Sequence, residues 1–222
     1  MEEQYYEAYD LRYQAAHAAG VLWMGQEPTP ILTEGLARFG VAKETPMLEL
    51  GCGEGRDAIP LLRKGYVNLI ATDVSEEAIR YCRTLCPEYA ERVQVLDCVR
   101  GRLDGRYGFL YAVAVLHMLT EDADRRAFLR FVREHLEPDG FALICTMGDG
   151  KREFSSDPHA AFEMQEREAE GKTLTVPATS CRMVNWGTLE RELSEAKLRI
   201  VERGDTAIPG QFDRMMYAGV RA

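Results

Sequence analysis

No stretch of this 222-residue chain is apolar over the length needed to cross a bilayer. Its opening residues, Met1-Glu2-Glu3-Gln4-Tyr5-Tyr6, lack the positive flank and apolar centre of a secretory leader. Basic residues are the minority, 27 Lys and Arg against 36 Asp and Glu, for a formal charge of −9. Nucleic-acid affinity rests on cations that neutralise phosphates, so the expectation is no nucleic-acid partner and no membrane partner. The six cysteines form no CxxC pair, and none has a neighbouring histidine at zinc spacing, so no metal site is expected. Most of Cys52, Cys82, Cys86, Cys98, Cys145 and Cys181 sit in apolar stretches, where a free thiol behaves as a small hydrophobe. A reducing cytoplasm is the expected compartment. Cys82 and Cys86 have helical spacing for a soft metal; packing is the simpler reading.

Repeats, low-complexity segments and linkers are also missing. Short apolar runs alternate with longer amphipathic ones, the pattern of βαβ units on a mainly parallel sheet. Strands are expected at 47–50, 67–72, 93–96, 109–115, 141–147, 198–202 and 215–220. Helices are expected at 2–19, 31–39, 57–64, 75–85, 122–135 and 188–196, with a loop at 23–30. The last two strands pair through residues 204–214, which makes one strand near the C-terminus antiparallel. The alternation lapses over 148–184, apart from a charged helical pattern near 160–170. A segment that long without regular structure usually serves function.

The run Glu49-Leu-Gly51-Cys52-Gly53-Glu-Gly55 joins the first strand to a helix. Glycines allow a tight turn and close approach of a ligand to the backbone. A dinucleotide fingerprint spaces its glycines G-x-G-x-x-G, but here Arg56 stands where the third glycine belongs. Glu49 repels a pyrophosphate and suits a ligand bearing an ammonium group. Glu54 and Arg56 read as solvated or helix-end charges.

Residues 47–57, Asp73 after the second strand, Asp97 after the third, and Leu136-Glu-Pro-Asp-Gly140 before the fifth together resemble class I S-adenosylmethionine-dependent methyltransferases. The resemblance covers about residues 45–147. The run 53–65, with Trp23 and Pro28 upstream, is similar to the tellurite-resistance and thiopurine methyltransferase branches. It implies an α/β fold, a Rossmann-like three-layer sandwich with a seven-stranded, mostly parallel sheet. It implies a single domain over 1–222, with 1–40 as a helical lid and 148–184 as a substrate-side insertion. The cofactor would be S-adenosylmethionine and the product S-adenosylhomocysteine. Glu49 would hold the methionine ammonium through water, and Gly51, Cys52 and Gly53 would line the methionine and ribose. Asp73 would accept from both ribose hydroxyls, with Val74 against the adenine. Asp97 would meet the adenine amino group, Cys98 would offer its N–H to the ring, and Val115 would complete the cofactor side.

The methyl acceptor is expected to be a small molecule attacking through O, N or S. Ala114-Val-Leu-His-Met118 is unlike the NPPY-type tetrapeptide of methyltransferases acting on DNA adenine or protein glutamine. His117 is the candidate for acid–base work, its alternative being a structural histidine beside the cofactor. Tyr5, Tyr9 and Tyr13 recur every fourth residue and, with Trp23, are candidates for cofactor or substrate contact; the plainer reading is helix core. Met147 and Arg182 are further substrate-side candidates, and Arg152 and Arg214 are alternative anion clamps. Two other functions fit the same turn: a nicotinamide-dependent oxidoreductase, and a non-catalytic cofactor-binding module.

Overall fold

The computed structural model describes residues 4–25 and 27–222. Its strands, in chain order, are β1 Met47–Leu50, β2 Leu69–Asp73, β3 Val93–Val95, β4 Tyr107–Val113, β5 Leu136–Met147 and β6 Phe154–Ser155, then β7 Met164–Ala169, β8 Lys172–Pro177, β9 Arg182–Met183, β10 Arg199–Ile208 and β11 Phe212–Arg221. The α-helices are α1 Ala8–Ala18, α2 Pro30–Arg38, α3 Ala58–Arg63, α4 Glu76–Leu85, α5 Asp122–His135 and α6 Trp186–Glu195. Seven strands make one sheet in the order β10-β11-β5-β4-β1-β2-β3. Its pairings are parallel except that β11 runs antiparallel to both β10 and β5. This is a mixed α/β, Rossmann-like architecture with a mostly parallel sheet.

Helices cover both faces, so the central strands are largely apolar and buried; all four residues of β1, Glu49 among them, are buried. Leu32, Leu62 and Ile79, from α2, α3 and α4, pack with Met47 and Phe109 on one face. Phe128, Leu129 and Leu189, from α5 and α6, pack with Leu48, Leu50 and Leu110 on the other. Ser75 caps α4 by accepting from the Ala78 N–H, and Glu76 and Glu77 complement the positive end of that helix. Asn185 caps α6 in the same way. No helix among the described residues is long and apolar enough to cross a membrane.

Three expectations need correction. The charged run near 160–170 is not helical: β7 and β8 form a hairpin, turning at Glu170 and Gly171, both with positive φ. Most of β7 faces solvent, so its charges lack the apolar alternation by which a strand is recognised. The last two strands are longer than expected and are joined only by residues 209–211. The alternation of β10 is partial and polar because it is the sheet's edge. At the N-terminus, Tyr5–Glu7 is a 3-10 turn rather than the first turn of the helix. Glu2 and Glu3 of the expected helix, and Gln26 of the expected loop, lie outside the described residues.

Arg125 of α5 ties the second face together. Its Nε and Nη2 each donate to the Glu192 carboxylate at 2.7 Å, and Nη1 donates to the carbonyls of Leu116 and Leu119. Removing one partner of a buried ion pair strands the other charge in a medium that solvates it poorly. Arg125→Ala is therefore expected to cost about 3–5 kcal/mol in denaturant unfolding. A loss within experimental error of zero would show that the pair is not buried in solution.

Candidate active site

The glycine turn is held by the neighbouring strand. Gly51 N–H and Cys52 N–H both donate to the Thr72 carbonyl, at 2.7 and 2.8 Å. Gly53 N–H donates to Asp73 Oδ2 at 2.8 Å, and Ser75 N–H donates to Oδ1 at 2.9 Å. Gly51 and Gly53 have φ of 75° and 53°. A Cβ at Gly51 would lie 2.3 Å from Val115 Cγ2, and one at Gly53 would lie 2.6 Å from the Tyr13 hydroxyl. Neither position admits a side chain. Burial raises the Asp73 pKa, and the N–H bonds from Ser75 and Gly53 oppose that rise. Each Asp73 oxygen accepts one of these two N–H groups, and the residue lines the cavity above the turn.

A cavity of about 760 Å³ opens above this turn, within the range of small-molecule sites. The structure brings Gly51, Cys52, Gly53, Asp73, Val74, Asp97, Cys98 and Val115 together on its wall. Asp97 is already engaged by protein. Its Oδ1 accepts from the N–H groups of Val99 and Arg100, and Oδ2 accepts from the Tyr6 hydroxyl at 2.9 Å. Glu49 departs from expectation: it is buried behind the turn and does not line the cavity. It pairs in register with Tyr111, whose hydroxyl donates to its carboxylate at 2.9 Å. Burial, and then Asp57, push its pKa well above the carboxylate range.

The roof comes from the N-terminal segment and the β7–β8 hairpin. Tyr9, Tyr13 and Trp23 line the cavity as expected of contact candidates, and so do Tyr6 and Met24. Tyr5 does not. Its hydroxyl donates to Asp124 and accepts from the Thr120 and Glu121 N–H groups. A 3-10 turn has three residues per turn, so Tyr5 leaves the face that Tyr9 and Tyr13 share on α1. Arg12, which sequence reasoning missed, is only 6% exposed and lines the cavity. Its guanidinium lies 4.8 Å from the Trp23 ring centroid and 5.0 Å from that of Tyr9. It donates to the carbonyls of Pro177 and Ala178, fastening α1 to the end of β8. The one available signal was a cation on the aromatic face of the helix.

Glu54 and Arg56 are not solvated; their exposures are 4% and 8%. Glu54 accepts from the Trp23 and Met24 N–H groups at 2.9 and 2.8 Å. Arg56 lines the cavity and pairs with Asp57 at 3.0 Å and Gln211 at 3.0 Å, which ties the turn to the β10–β11 connection. Asp57 also takes the N–H and hydroxyl of Thr29.

His117 and Met147 both line the cavity, with Phe212 edge-on to the His117 ring. His117 is buried, and desolvation, with Arg125 adding to it, lowers its pKa to about 4. Its Nδ1 accepts a long bond, 3.5 Å, from the Met147 N–H. The ring is neutral near pH 7 and weakly basic. Arg182 lies outside this cavity, donating to Thr120 O and Asp122 Oδ1 at 2.7 and 2.6 Å. Arg152 and Arg214 pair with Asp149 and Asp205. Cys82 and Cys86 are buried, and no group of three or more ligating side chains among the described residues is placed to hold a metal.

The His117 shift has a sign that can be tested. The unfolded chain takes up this proton below about pH 6.5, the folded one only below about pH 4, so stability is full above 6.5 and falls as pH drops to 4. The expected loss is about 3 kcal/mol, read as the difference between wild type and His117→Gln in denaturant unfolding across that window. Parallel pH profiles for the two proteins would refute the assignment.

Residues 47–140 match a methyltransferase domain family. The ubiquinone biosynthesis O-methyltransferase of Rickettsia akari is 26% identical over 110 residues, 49% of this chain and 43% of that protein. The chain thus spans less than half the length of that curated relative. The CcbJ methyltransferase of Streptomyces caelestis has a TM-score of 0.70 at 23% identity, covering 100% of this chain and 99% of that one. The 1,6-didemethyltoxoflavin-N1-methyltransferase of Burkholderia thailandensis has a TM-score of 0.69 at 18% identity, covering 100% and 91%. The chain carries the class I S-adenosylmethionine-dependent methyltransferase fold, with residues 47–140 matching the methyltransferase domain family.

Proposed function

We propose that this protein is an S-adenosylmethionine-dependent methyltransferase acting on O, N or S of a small molecule. The observation that carries the reading is the Asp73 carboxylate. It is fixed by Gly53 and Ser75 N–H groups beside a glycine turn, and it faces a cavity large enough for two reactants. A carboxylate so held is suited to accept from vicinal ribose hydroxyls. Val74 and Cys98 offer an apolar wall for a base, and the Tyr9, Tyr13 and Trp23 rings offer π faces to a cation. S-adenosylmethionine, when bound, supplies a methyl group activated by its sulfonium for in-line displacement. The protein then contributes alignment and exclusion of water, terms that account for much of the rate of such a reaction. His117, neutral and weakly basic, orients an acceptor by a hydrogen bond more readily than it removes a proton. That favours acceptors already nucleophilic without deprotonation, such as neutral amines. The Burkholderia neighbour is named an N1-methyltransferase and the rickettsial relative an O-methyltransferase.

We assign 1–40 as the lid and 148–184 as the substrate-selecting insertion of a single domain. The thiopurine- and tellurite-type branch is our placement on the run 53–65. The proposed compartment is the cytoplasm, from the buried free thiols of Cys82, Cys86 and Cys145.

Calorimetry with S-adenosylmethionine, S-adenosylhomocysteine and NADH separates the readings. Asp73→Ala is expected to weaken binding of S-adenosylmethionine by about 1–3 kcal/mol, or roughly 5–150-fold. Unchanged affinity would remove Asp73 from the site. Tight NADH binding without S-adenosylmethionine binding would replace the whole reading with an oxidoreductase. Transfer of labelled methyl to a metabolite extract, followed by mass spectrometry, then identifies the acceptor. Binding without transfer to any acceptor would leave a cofactor-binding module.

A further inference from the structure

His17 projects from α1 into a nearly closed space; its side chain is 5% exposed. Nδ1 lies 2.6 Å from Glu77 Oε1, and Nε2 lies 2.8 Å from Glu54 Oε1. The ring stacks on Tyr81 with centroids 3.9 Å apart. An ionised carboxylate only accepts, whereas a neutral imidazole has one N–H and one lone pair. Two carboxylates on the two ring nitrogens are both satisfied only by the ring protonated at both. The surrounding charges agree. Glu77 also pairs with Arg80, so Glu54 and Glu77 are balanced when His17 is cationic. Asp10, on the same helix, adds a further negative charge as it accepts from Ser75 and Glu77. The Tyr13 ring is 6.0 Å away, and Lys172 of β8 donates to Ala19 O at the end of the helix.

Glu54 links this cluster to the cavity. The same carboxylate accepts from the N–H groups of Trp23 and Met24, two roof residues. Among the described residues His17 is the one cation in ion-pair contact with Glu54, so a neutral His17 would leave that buried carboxylate without a counter-charge, a costly state. We propose that His17 is a positioning residue: an imidazolium, bonded to a carboxylate at each ring nitrogen, that holds Trp23 and Met24 over the glycine turn through Glu54. This rests on reading the cavity as the S-adenosylmethionine site.

Three measurements on the full chain test it. Side-chain ¹⁵N spectra of the ligand-free protein, assigned with His17→Gln, should show both His17 nitrogens protonated at pH 7. The emission of Trp23, sole tryptophan in a Trp186→Phe background, should shift when His17→Gln is introduced. The Kd for S-adenosylmethionine should weaken by about tenfold in His17→Gln. A neutral His17 at pH 7 overturns the proposal, and so does Trp23 emission unchanged by His17→Gln. If S-adenosylmethionine fails to bind at any pH, the cofactor reading fails while the first two measurements still decide the role of His17.

Discussion

Two backbone N–H groups on one carboxylate, those of Gly53 and Ser75 on Asp73, set the geometry on which the cavity depends. They clamp the end of β2 to the turn after β1, and the Thr72 carbonyl adds two more bonds to the same turn. The turn must then follow a left-handed path, and Val115 and Tyr13 close over it so tightly that only glycine fits. The floor of the site is therefore backbone, fixed by adjacent parallel strands. Its chemistry is concentrated in one oriented acid.

The roof is built on a different principle. Floor contacts are hydrogen bonds between neighbouring strands. The roof is held by charges that have left water: Arg12 on carbonyls at the end of β8, Arg56 on Asp57 and Gln211, and Glu54 on N–H groups and His17. Such groups are stable in the interior only with their partners in place. The roof is thus specified by polar geometry as well as by aromatic packing, with Tyr9, Tyr13 and Trp23 lining the cavity.

This contrast explains what could be read in the sequence. The glycine turn, Asp73 and the mostly parallel sheet were legible because their signals are local: a strand, a turn and an acid that follows the next strand. Glu54 and Arg56 looked like surface charges because their partners, His17, Trp23 and Gln211, lie 37, 31 and 155 positions away. Arg12 was invisible for the same reason. Tyr5 was misplaced because a 3-10 turn breaks the four-residue rhythm. The β7–β8 hairpin was hidden because β7 is largely solvated and carries little apolar alternation. Glu49 looked like a ligand contact, yet the strand that carries it turns it toward Tyr111.

The bond from Arg12 to Ala178 joins residues 166 positions apart. The roof therefore joins an N-terminal helix to a hairpin that the chain reaches only after five strands of the sheet. Any ligand that bridges floor and roof then acts as a cross-link between the two distant ends of the chain and the strands beneath them.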